Sequence, residues 1–541
     1  MRRRAALACA LACGVLWSSA AHAQPGPAPP ANRILVAPFE NVTRDARIFW
    51  LGEASAVLLT DDLNALGARA ITRDERREAF DQLQVPAAAA LTDATVIRIG
   101  QIVGAAHIVI GTLQLDGDTL VVHARDIALE PGKIQGNVTE RGPVSDLFGT
   151  FERLARTLAP SMGGAAAAVA SPLAHPVLGA FESYIKGVLA EKPDTAVSYL
   201  TAALQTQPTF DRARLALWQV YDREGDHDRA LAAVLPIAAQ SPLEPRGRFL
   251  AGLSEINLQR YDAAYATFKA LVDRAPSAQA FNNLGVVQMR RGGSPQAGQA
   301  TYFFDKARDA DPTDADYCFN LGYAYWQDHD TQAAIYWLRE AVRRNVADGD
   351  AHFVLGAALA AAGNAAEAAR ERELARRLSS TYAEWEKRPA ADIVPKRLER
   401  IKTESELPHA ARIEETLATG GQRSQQDLAR FYLDRARRLF QQENDRDAMA
   451  DLNRVLFLSP YQAEAHLLVG RIHLRDGQVR EAIDALKISL WSAETADAHA
   501  ALAEAYFAAK DNDSARAEAE RALALDPAAD AARRILDRVA R

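Results

Sequence analysis

Three histidines at related positions are the side chains of this sequence best suited to hold a metal ion. His352, His466 and His499 each precede a small residue, Gly or Ala, by four positions, and neutral imidazole is a common zinc ligand. Each one, however, lies in a different periodic segment, and Phe281 and Cys318 stand at the same place in two others. We therefore predict that this position packs between helices, and that the chain holds no metal and no other cofactor.

The other candidates for chemistry lack the spacing that a site needs. Asp511-Asn512-Asp513 begins like a calcium loop, but Ala515 and Arg516 stand where an oxygen ligand and a glycine are required. His107 and His123 are predicted on adjacent strands without a third ligand. No phosphate-binding Gly-rich loop, His-Glu-x-x-His or Gly-x-Ser-x-Gly motif occurs. We predict no enzymatic activity, with an unfamiliar site in the first domain as the alternative.

The composition argues against one class of main ligand. The chain has 541 residues, of which 25% are charged and 48% hydrophobic. This is the balance of folded globular proteins, and the length predicts several domains. Lys and Arg number 63, and Asp and Glu number 70. Because nucleic-acid binding requires a basic face, the acidic balance argues against nucleic acid as the main ligand.

The amino terminus has the pattern of a secretory signal peptide. Basic residues at positions 2–4 precede an apolar stretch at 5–17, and Ala21 and Ala23 provide the small residues before a cleavage that we predict at Gln24. No later segment is long and apolar enough to predict a transmembrane helix. We therefore predict export to the periplasm, with association with the outer membrane as a variant of this localisation.

Cys13 offers a second interpretation of the same segment, as the acceptor of a lipid anchor. That signal needs a Leu three residues before the cysteine, and Ala10 stands there. Cys318 is the one cysteine beyond the segment, so the mature chain cannot form an internal disulfide.

Residues 33–160 follow a proline-rich linker at 24–32 and read as a small α/β domain. A hairpin is predicted at Asp116-Gly117-Asp118 and a helix end at Gly104, because glycine accepts a positive φ. Apolar runs predict strands near 34–38, 70–72, 107–115, 119–129 and 134–139, and helical spacing predicts helices near 50–66, 93–103 and 144–158.

Short apolar and glycine signals in this domain carry a family resemblance. They are Ile34 to Phe39, Asn41, Trp50 to Glu53, Gly100, Gly104-Ala105, Val109 to Gly111 and Gly117-Asp118. In this order they resemble the TolB-type amino-terminal domain and its relatives in the CsgG and FlgO groups. The resemblance implies a non-catalytic assembly module of the bacterial envelope.

A period of 34 residues dominates the rest of the chain. Pro208, Pro242 and Pro276 are separated by 34 residues each, and so are Gly322 and Gly356. A fixed period of this length is typical of a helical solenoid. The recurring anchors are Gly252, Ala264, Gly322, Ala334, Gly356, Ala368, Gly470, Ala482 and Pro527.

These anchors resemble the tetratricopeptide repeat, whose pattern Leu321-Gly322, Tyr325, Ala334, Leu338 and Ala341 match closely. The small residues let the two helices of a pair approach, and the large residue fills the facing hole. The predicted fold class is therefore multi-domain, with the small α/β domain followed by an all-α superhelical solenoid.

The organisation after the first domain follows from this register. Residues 161–176 are predicted as a linker, so we expect the repeats to fold without the α/β domain. About six repeats are predicted at 177–378, an insertion or hinge with a helical run from Lys396 to Lys402 at 379–425, and about three repeats with a capping helix at 426–541.

The helix from Tyr317 to Gln327 is the predicted centre of a partner-binding groove, because it is apolar on two faces. By family resemblance one of these faces points into the concave groove. The candidate contact residues are Phe319, Tyr323, Trp326, Asn282, Val286, Met289, Phe249, Leu253 and Ile256. An amphipathic partner helix would fit this strip, and the alternative is that the 379–425 insertion folds back onto it.

The predicted function is a non-catalytic periplasmic scaffold or adaptor. Its repeats would bind a protein or peptide partner, and its α/β domain would bind a partner in the envelope. The alternative is an outer-membrane secretion or assembly component with a lipid anchor, as the CsgG resemblance implies. In the repeat family, domains that hold a carboxyl-terminal carboxylate need Lys beside Asn. Asn283 and Asn320 have no such Lys, so we do not expect this mode.

Overall fold

The computed structural model describes residues 33–43, 45–77, 99–100, 103–129, 133–163, 175–292, 298–389, 392–403, 429–459 and 461–540. The predicted signal segment with Ala21, Ala23 and Gln24, the linker at 24–32 and most of the linker at 161–176 lie outside the described residues. No helix in the described ranges is long and apolar enough to cross a membrane.

The first domain is a mixed sheet with helices on both faces. Its strand order is β3-β1-β4-β5-β6, and β2 pairs with β4. The pairs β1–β3, β1–β4 and β2–β4 are parallel, and β4–β5 and β5–β6 are antiparallel. The strands are β1 (Arg33–Val36), β2 (Glu40–Asn41), β3 (Arg69–Ala70), β4 (Ala105–Asp116), β5 (Thr119–Ala128) and β6 (Lys133–Pro143), and the two longest described helices are α1 (Leu51–Ala65) and α2 (Leu147–Leu158).

The apolar run that begins the domain is buried on both faces of the sheet. Ile34 and Val36 belong to the apolar cluster that includes α1 and α2, whereas Leu35 belongs to a cluster on the other side with Ile99 and Val103. A strand covered on both faces needs such a continuous run. Much of the helix predicted at 93–103 lies outside the described residues, but residues 99, 100 and 103 are helical.

Helix pairs make up the remainder of the described chain. Six pairs lie between Leu178 and Leu378, and the described residues from 429 onward form three more pairs and a final helix. They are α3 (Leu178–Leu189), α4 (Pro193–Thr206), α5 (Asp211–Arg223), α6 (His227–Val234), α7 (Glu244–Asn257), α8 (Tyr261–Arg274), α9 (Ala278–Arg291), α10 (Ala300–Ala310), α11 (Ala315–Gln327), α12 (Thr331–Arg344), α13 (Gly349–Ala361), α14 (Ala365–Leu378), α15 (Thr381–Trp385), an unlabelled helix at 429–441, α16 (Asp445–Leu458), α17 (Ala463–Arg475), α18 (Val479–Ser492), α19 (Ala496–Ala508), α20 (Asn512–Leu525) and α21 (Asp530–Val539).

The glycine anchors lie where the two helices of a pair are in contact. A Cβ atom at Gly252 would stand 2.6 Å from the Phe268 ring, and one at Gly470 would stand 2.5 Å from Leu486. The same holds at Gly322, where a Cβ would lie 2.8 Å from Leu338. Because such distances are shorter than van der Waals contact, the 34-residue period reflects close helix packing. The anchors Ala264, Ala334, Ala368 and Ala482 are buried.

The α/β domain and the first repeats share one apolar core. Phe181 on α3 lies 6.3 Å from the Trp50 ring and 5.7 Å from the Phe148 ring, measured between centroids. Arg246 on α7 pairs with Asp74 at 2.6 Å. These contacts join the two sides of the predicted linker, and the independent folding of the repeats stays a prediction. The low-complexity composition of 161–176 indicated a spacer but carried no information about contacts made by the flanking helices.

The carboxyl-terminal repeats return to the same region. Phe49 of the first domain makes edge contacts with the rings of Tyr461 and Trp491, at 5.7 Å each. The Glu191 backbone N–H donates to the Ser492 carbonyl, and its carboxylate accepts from the Ala463 N–H at 2.8 Å. The α/β domain therefore packs against repeats from both parts of the solenoid.

We expect Phe181→Ala to lower the free energy of unfolding by about 3–5 kcal/mol, because the ring is buried and leaves a cavity. Hydrogen exchange of the β1 amides, which reports the α/β domain, and far-UV circular dichroism, which reports mainly the helices of the repeats, should show the same shifted transition. Tyr336→Ala, at a site that is 59% exposed, is the control and should shift it little. A fragment starting at Val177 that melts at the temperature of the full chain would contradict the shared core.

Candidate functional site

A segment of the chain itself fills the groove beside helices α9, α11 and α13. Residues 392–403, which we call the strap, contact the face of α11 that the sequence assigned to a partner. From Arg397 to Thr403 the strap has no regular secondary structure, so the helical run predicted there is wrong. Of the two predicted occupants, the insertion is the one that lies on this face.

Three asparagines bind the backbone of the strap, and two of them do so through paired hydrogen bonds. The Asn320 amide accepts from the Arg400 N–H at 2.7 Å and donates to the Arg400 carbonyl at 2.8 Å. Asn283 makes the same pair of bonds to Lys402, both at 2.8 Å. Asn282 also donates to the Arg400 carbonyl at 2.8 Å. Residues two apart in an extended chain face the same way, so this spacing suits a peptide in a β-like conformation.

The two basic side chains of the strap end among aspartates. The Arg400 guanidinium pairs with Asp316 at 2.5 Å and with Asp348 at 2.6 Å. The Lys402 ammonium lies 2.7 Å from Asp314 and 2.6 Å from Asp316. Asp314 and Asp348 also cap helices α11 and α13, where each accepts from a backbone N–H. The carboxylates are therefore fixed by the helix starts before any cation binds.

These ion pairs shift the pKa values of their members. Burial would raise the pKa of Asp316, but Arg400 and Lys402 outweigh it and hold the pKa below its ordinary value. Burial likewise opposes the charged form of Arg400, yet its bonds with Asp348 and Asp316 raise the pKa. Because the pKa of Asp316 is lowered by folding, its contribution to stability is present above the ordinary carboxyl pKa and is lost as the pH falls through the lowered value.

Three aromatic side chains of α11 also contact the strap. The Arg400 guanidinium lies 4.0 Å from the centre of the Phe319 ring, and the Lys402 ammonium lies 5.2 Å from that of Tyr317. The Tyr323 hydroxyl donates to the Pro395 carbonyl at 2.8 Å. These contacts combine cation–π attraction with a hydrogen bond to the strap backbone.

The candidate contact residues divide into three groups. Asn282, Phe319 and Tyr323 touch the strap directly. Val286, Met289 and Trp326 belong to apolar clusters that also include Leu398 or Ile401 of the strap. Phe249, Leu253 and Ile256 are at most 6% exposed and form part of the core of the preceding repeats, against which Ile401 of the strap also packs.

The strap also carries an acidic contact. Glu399 accepts from the Arg290 guanidinium at 2.6 Å, and its side chain is 3% exposed. Residues 399–402 therefore present Glu, Arg, Ile and Lys in sequence, with each charged member paired to a side chain of opposite charge. Sequence reasoning had placed none of Arg290, Glu399, Arg400 and Lys402 in the site.

Two of the three recurring histidines pair with glutamates of their own repeats. His352 Nδ1 lies 2.5 Å from the Glu371 carboxylate, and His499 Nδ1 lies 2.6 Å from that of Glu518. His466 instead packs against the Phe49 ring at 5.9 Å. No group of three or more His, Cys, Asp or Glu suited to a metal ion occurs among the described residues.

Part of the groove could have been found from the sequence. Asn283 and Asn320 each stand two residues before a glycine anchor, whereas Leu250, Val354 and Leu468 occupy that position in other repeats. Two amides at one position of successive repeats are a periodic polar signal on an otherwise apolar face. The sequence alone did not show what these amides bind.

Comparison with known families supports the repeat pattern. Profiles described as Tetratricopeptide repeat match residues 188–253, 249–315, 293–345, 319–382, 433–493 and 496–528. Together the matches span more than half of the chain. No curated protein matches the chain significantly.

Several solved structures match parts of the chain. A fragment of MamA from Desulfovibrio magneticus RS-1 is 22% identical over 32% of this chain and 96% of its own, with a TM-score of 0.29. YrrB, described as a TPR protein with an unusual peptide-binding site, is 16% identical over 34% and 92%, with a TM-score of 0.29. PilF of Pseudomonas aeruginosa is 20% identical over 36% and 89%, with a TM-score of 0.31.

We expect Asn283→Ala combined with Asn320→Ala to loosen the strap, because both pairs of backbone hydrogen bonds disappear. Each lost hydrogen bond weakens the attachment of the strap by about 1 kcal/mol, so the strap should be released more often. Trypsin should therefore cleave between Lys396 and Lys402 at least tenfold faster than in the wild-type chain. Asn364→Ala removes an exposed asparagine and serves as the control. Equal cleavage rates in the double variant and the control would contradict the two-asparagine contact.

Proposed function

Because this chain belongs to the tetratricopeptide repeat family, we propose that it is a non-catalytic scaffold whose groove binds an extended segment of a protein partner. One observation carries the proposal: the groove holds a stretch of polypeptide through the backbone of Arg400 and Lys402. A surface that uses side-chain amides to bind a peptide backbone is suited to a peptide from another chain.

The strap has the properties of a bound ligand rather than of a core element. From Arg397 onward it has no regular secondary structure, and Lys396, Arg397 and Thr403 are exposed. Its contacts with α9 and α11 combine apolar packing of Leu398 and Ile401 with ion pairs and hydrogen bonds, and a neutral hydrogen bond contributes only about 1 kcal/mol in water. A peptide from a partner could therefore form equivalent contacts at similar energy.

The periplasm is the compartment that we propose for this scaffold. The basic start, the apolar stretch and the small residues at Ala21 and Ala23 support export. We propose the α/β domain as the contact with an envelope partner, in keeping with its TolB-type pattern. Its packing against both parts of the solenoid would hold that contact at a fixed position relative to the groove.

We expect the mature protein to begin at Gln24, because cleavage should follow Ala23. Intact mass of the protein exported from its native host measures this directly. Ala23→Arg should block cleavage and serves as the control. A lipid on Cys13 would contradict this and favour the outer-membrane assembly component instead.

We expect a partner to be crosslinked from the groove when the strap is absent. A photo-reactive amino acid replaces Met289, which is only partly buried there, in a full chain whose residues 393–402 are replaced by a Gly-Ser sequence of equal length. Release of the strap exposes the groove, so adducts with a partner protein should increase over the unreplaced chain. The same amino acid at Tyr336, exposed on α12, is the control. Adducts at Met289 in neither chain would refute partner binding in the groove.

A further inference from the structure

We propose that residues 399–402 are a built-in copy of the partner's binding motif, and that the groove selects an extended partner segment in which Arg and Lys are separated by one residue. This inference rests on the proposed function, because it names the ligand of the same groove. The strap would then compete with the partner for one set of contacts.

The charge of the groove requires a basic ligand. Three carboxylates of the groove contact the basic side chains of the strap. Arg400 pairs with Asp316 and Asp348, and Lys402 pairs with Asp314 and Asp316. When the strap leaves, all three carboxylates lose these cations. An acidic or neutral segment would not restore these charge-assisted contacts, so it cannot replace the strap without loss.

The backbone contacts fix the spacing of the two cations. Asn320 binds the peptide groups of one residue and Asn283 those of the residue two positions later. Side chains two apart in an extended strand lie on the same side, so both cations reach the aspartates at once. Two adjacent basic residues would point to opposite sides of the strand, so only one of them could contact the aspartates.

The residues around the basic pair refine the motif. The residue before the Arg is Glu399, which pairs with Arg290 on α9. The residue between the cations is Ile401, which packs against apolar clusters that include Val286 and Leu321. The full motif is therefore an acidic residue, Arg, an apolar residue and Lys.

Competition between the strap and a partner follows from tethering. A segment attached close to its own site acts at an effective concentration on the order of millimolar. A partner segment with the same contacts can bind only the molecules whose groove is empty, so its apparent affinity is reduced in proportion to that empty fraction. Weakening the strap should therefore strengthen the binding of a separate peptide.

The test uses the full chain and three labelled peptides whose binding is measured by fluorescence anisotropy. The first peptide has the sequence of residues 392–403, and the second has Ala at the positions of Arg400 and Lys402. The third exchanges the residues at 400 and 401, which keeps the net charge but makes the two cations adjacent. The release variant carries Arg400→Ala and Lys402→Ala, and circular dichroism checks that its helices are retained.

We expect the release variant to bind the first peptide at least tenfold more tightly than the wild-type chain does. It should bind the second and third peptides at least tenfold more weakly than the first. Asp316→Asn in the release variant should weaken binding of the first peptide by a similar factor, because this carboxylate contacts both cations.

The unfavourable outcomes are distinguishable. A folded release variant that binds none of the peptides would refute both this inference and the proposed function. Equal binding of all three peptides would leave the proposed function standing and refute the motif. A wild-type dimer that the first peptide dissociates would show that the occupant is a second copy of the chain.

If the release variant loses its helices, the same question is answered with the wild-type chain. Excess first peptide should accelerate hydrogen exchange at the strap amides of Arg400 and Lys402, because it displaces the strap. The second peptide should not do so. Unchanged exchange with the first peptide would refute competition.

Discussion

The paired hydrogen bonds between an asparagine amide and a single residue of the strap are the interaction on which the groove depends. Asn320 binds both the N–H and the carbonyl of Arg400, and Asn283 binds those of Lys402. These bonds set the direction and the register of the strap. The ion pairs with Asp316 and Asp348 then act on side chains whose positions the backbone has already fixed.

The burial of charge in the groove explains why register matters. Lys402 is 7% exposed, and a buried cation without a partner would be costly. A shift of the strap by one residue would direct Ile401 toward the aspartates and leave Lys402 without them. Because replacement of a buried ion pair by apolar residues is often neutral for net stability, we infer that these pairs act mainly by selecting one arrangement of the strap.

The repeat architecture could be predicted from the sequence because it follows from local packing. Gly252, Gly322 and Gly470 each meet a large side chain of the next helix, and that requirement recurs at a fixed period. The strap could not be predicted in the same way. Lys396 to Lys402 contains good helix formers, but contacts of Arg400 and Lys402 with Asn320 and Asn283, distant in sequence, override that propensity and keep the segment out of a helix. The shared core at Phe181 was missed for a similar reason, because nothing local in the sequence marks a contact between domains.

Hydrogen exchange at the backbone amides of Arg400 and Lys402 in the full chain tests the central claim most directly, namely that the strap is a peptide ligand held by asparagine side chains. The account predicts that both amides are protected, and that they exchange through a local opening whose free energy lies well below that of global unfolding. Exchange as fast as in an unstructured peptide would contradict the hydrogen bonds. Protection equal to that of the amides in the core of α11 would show that the strap is a permanent part of the fold.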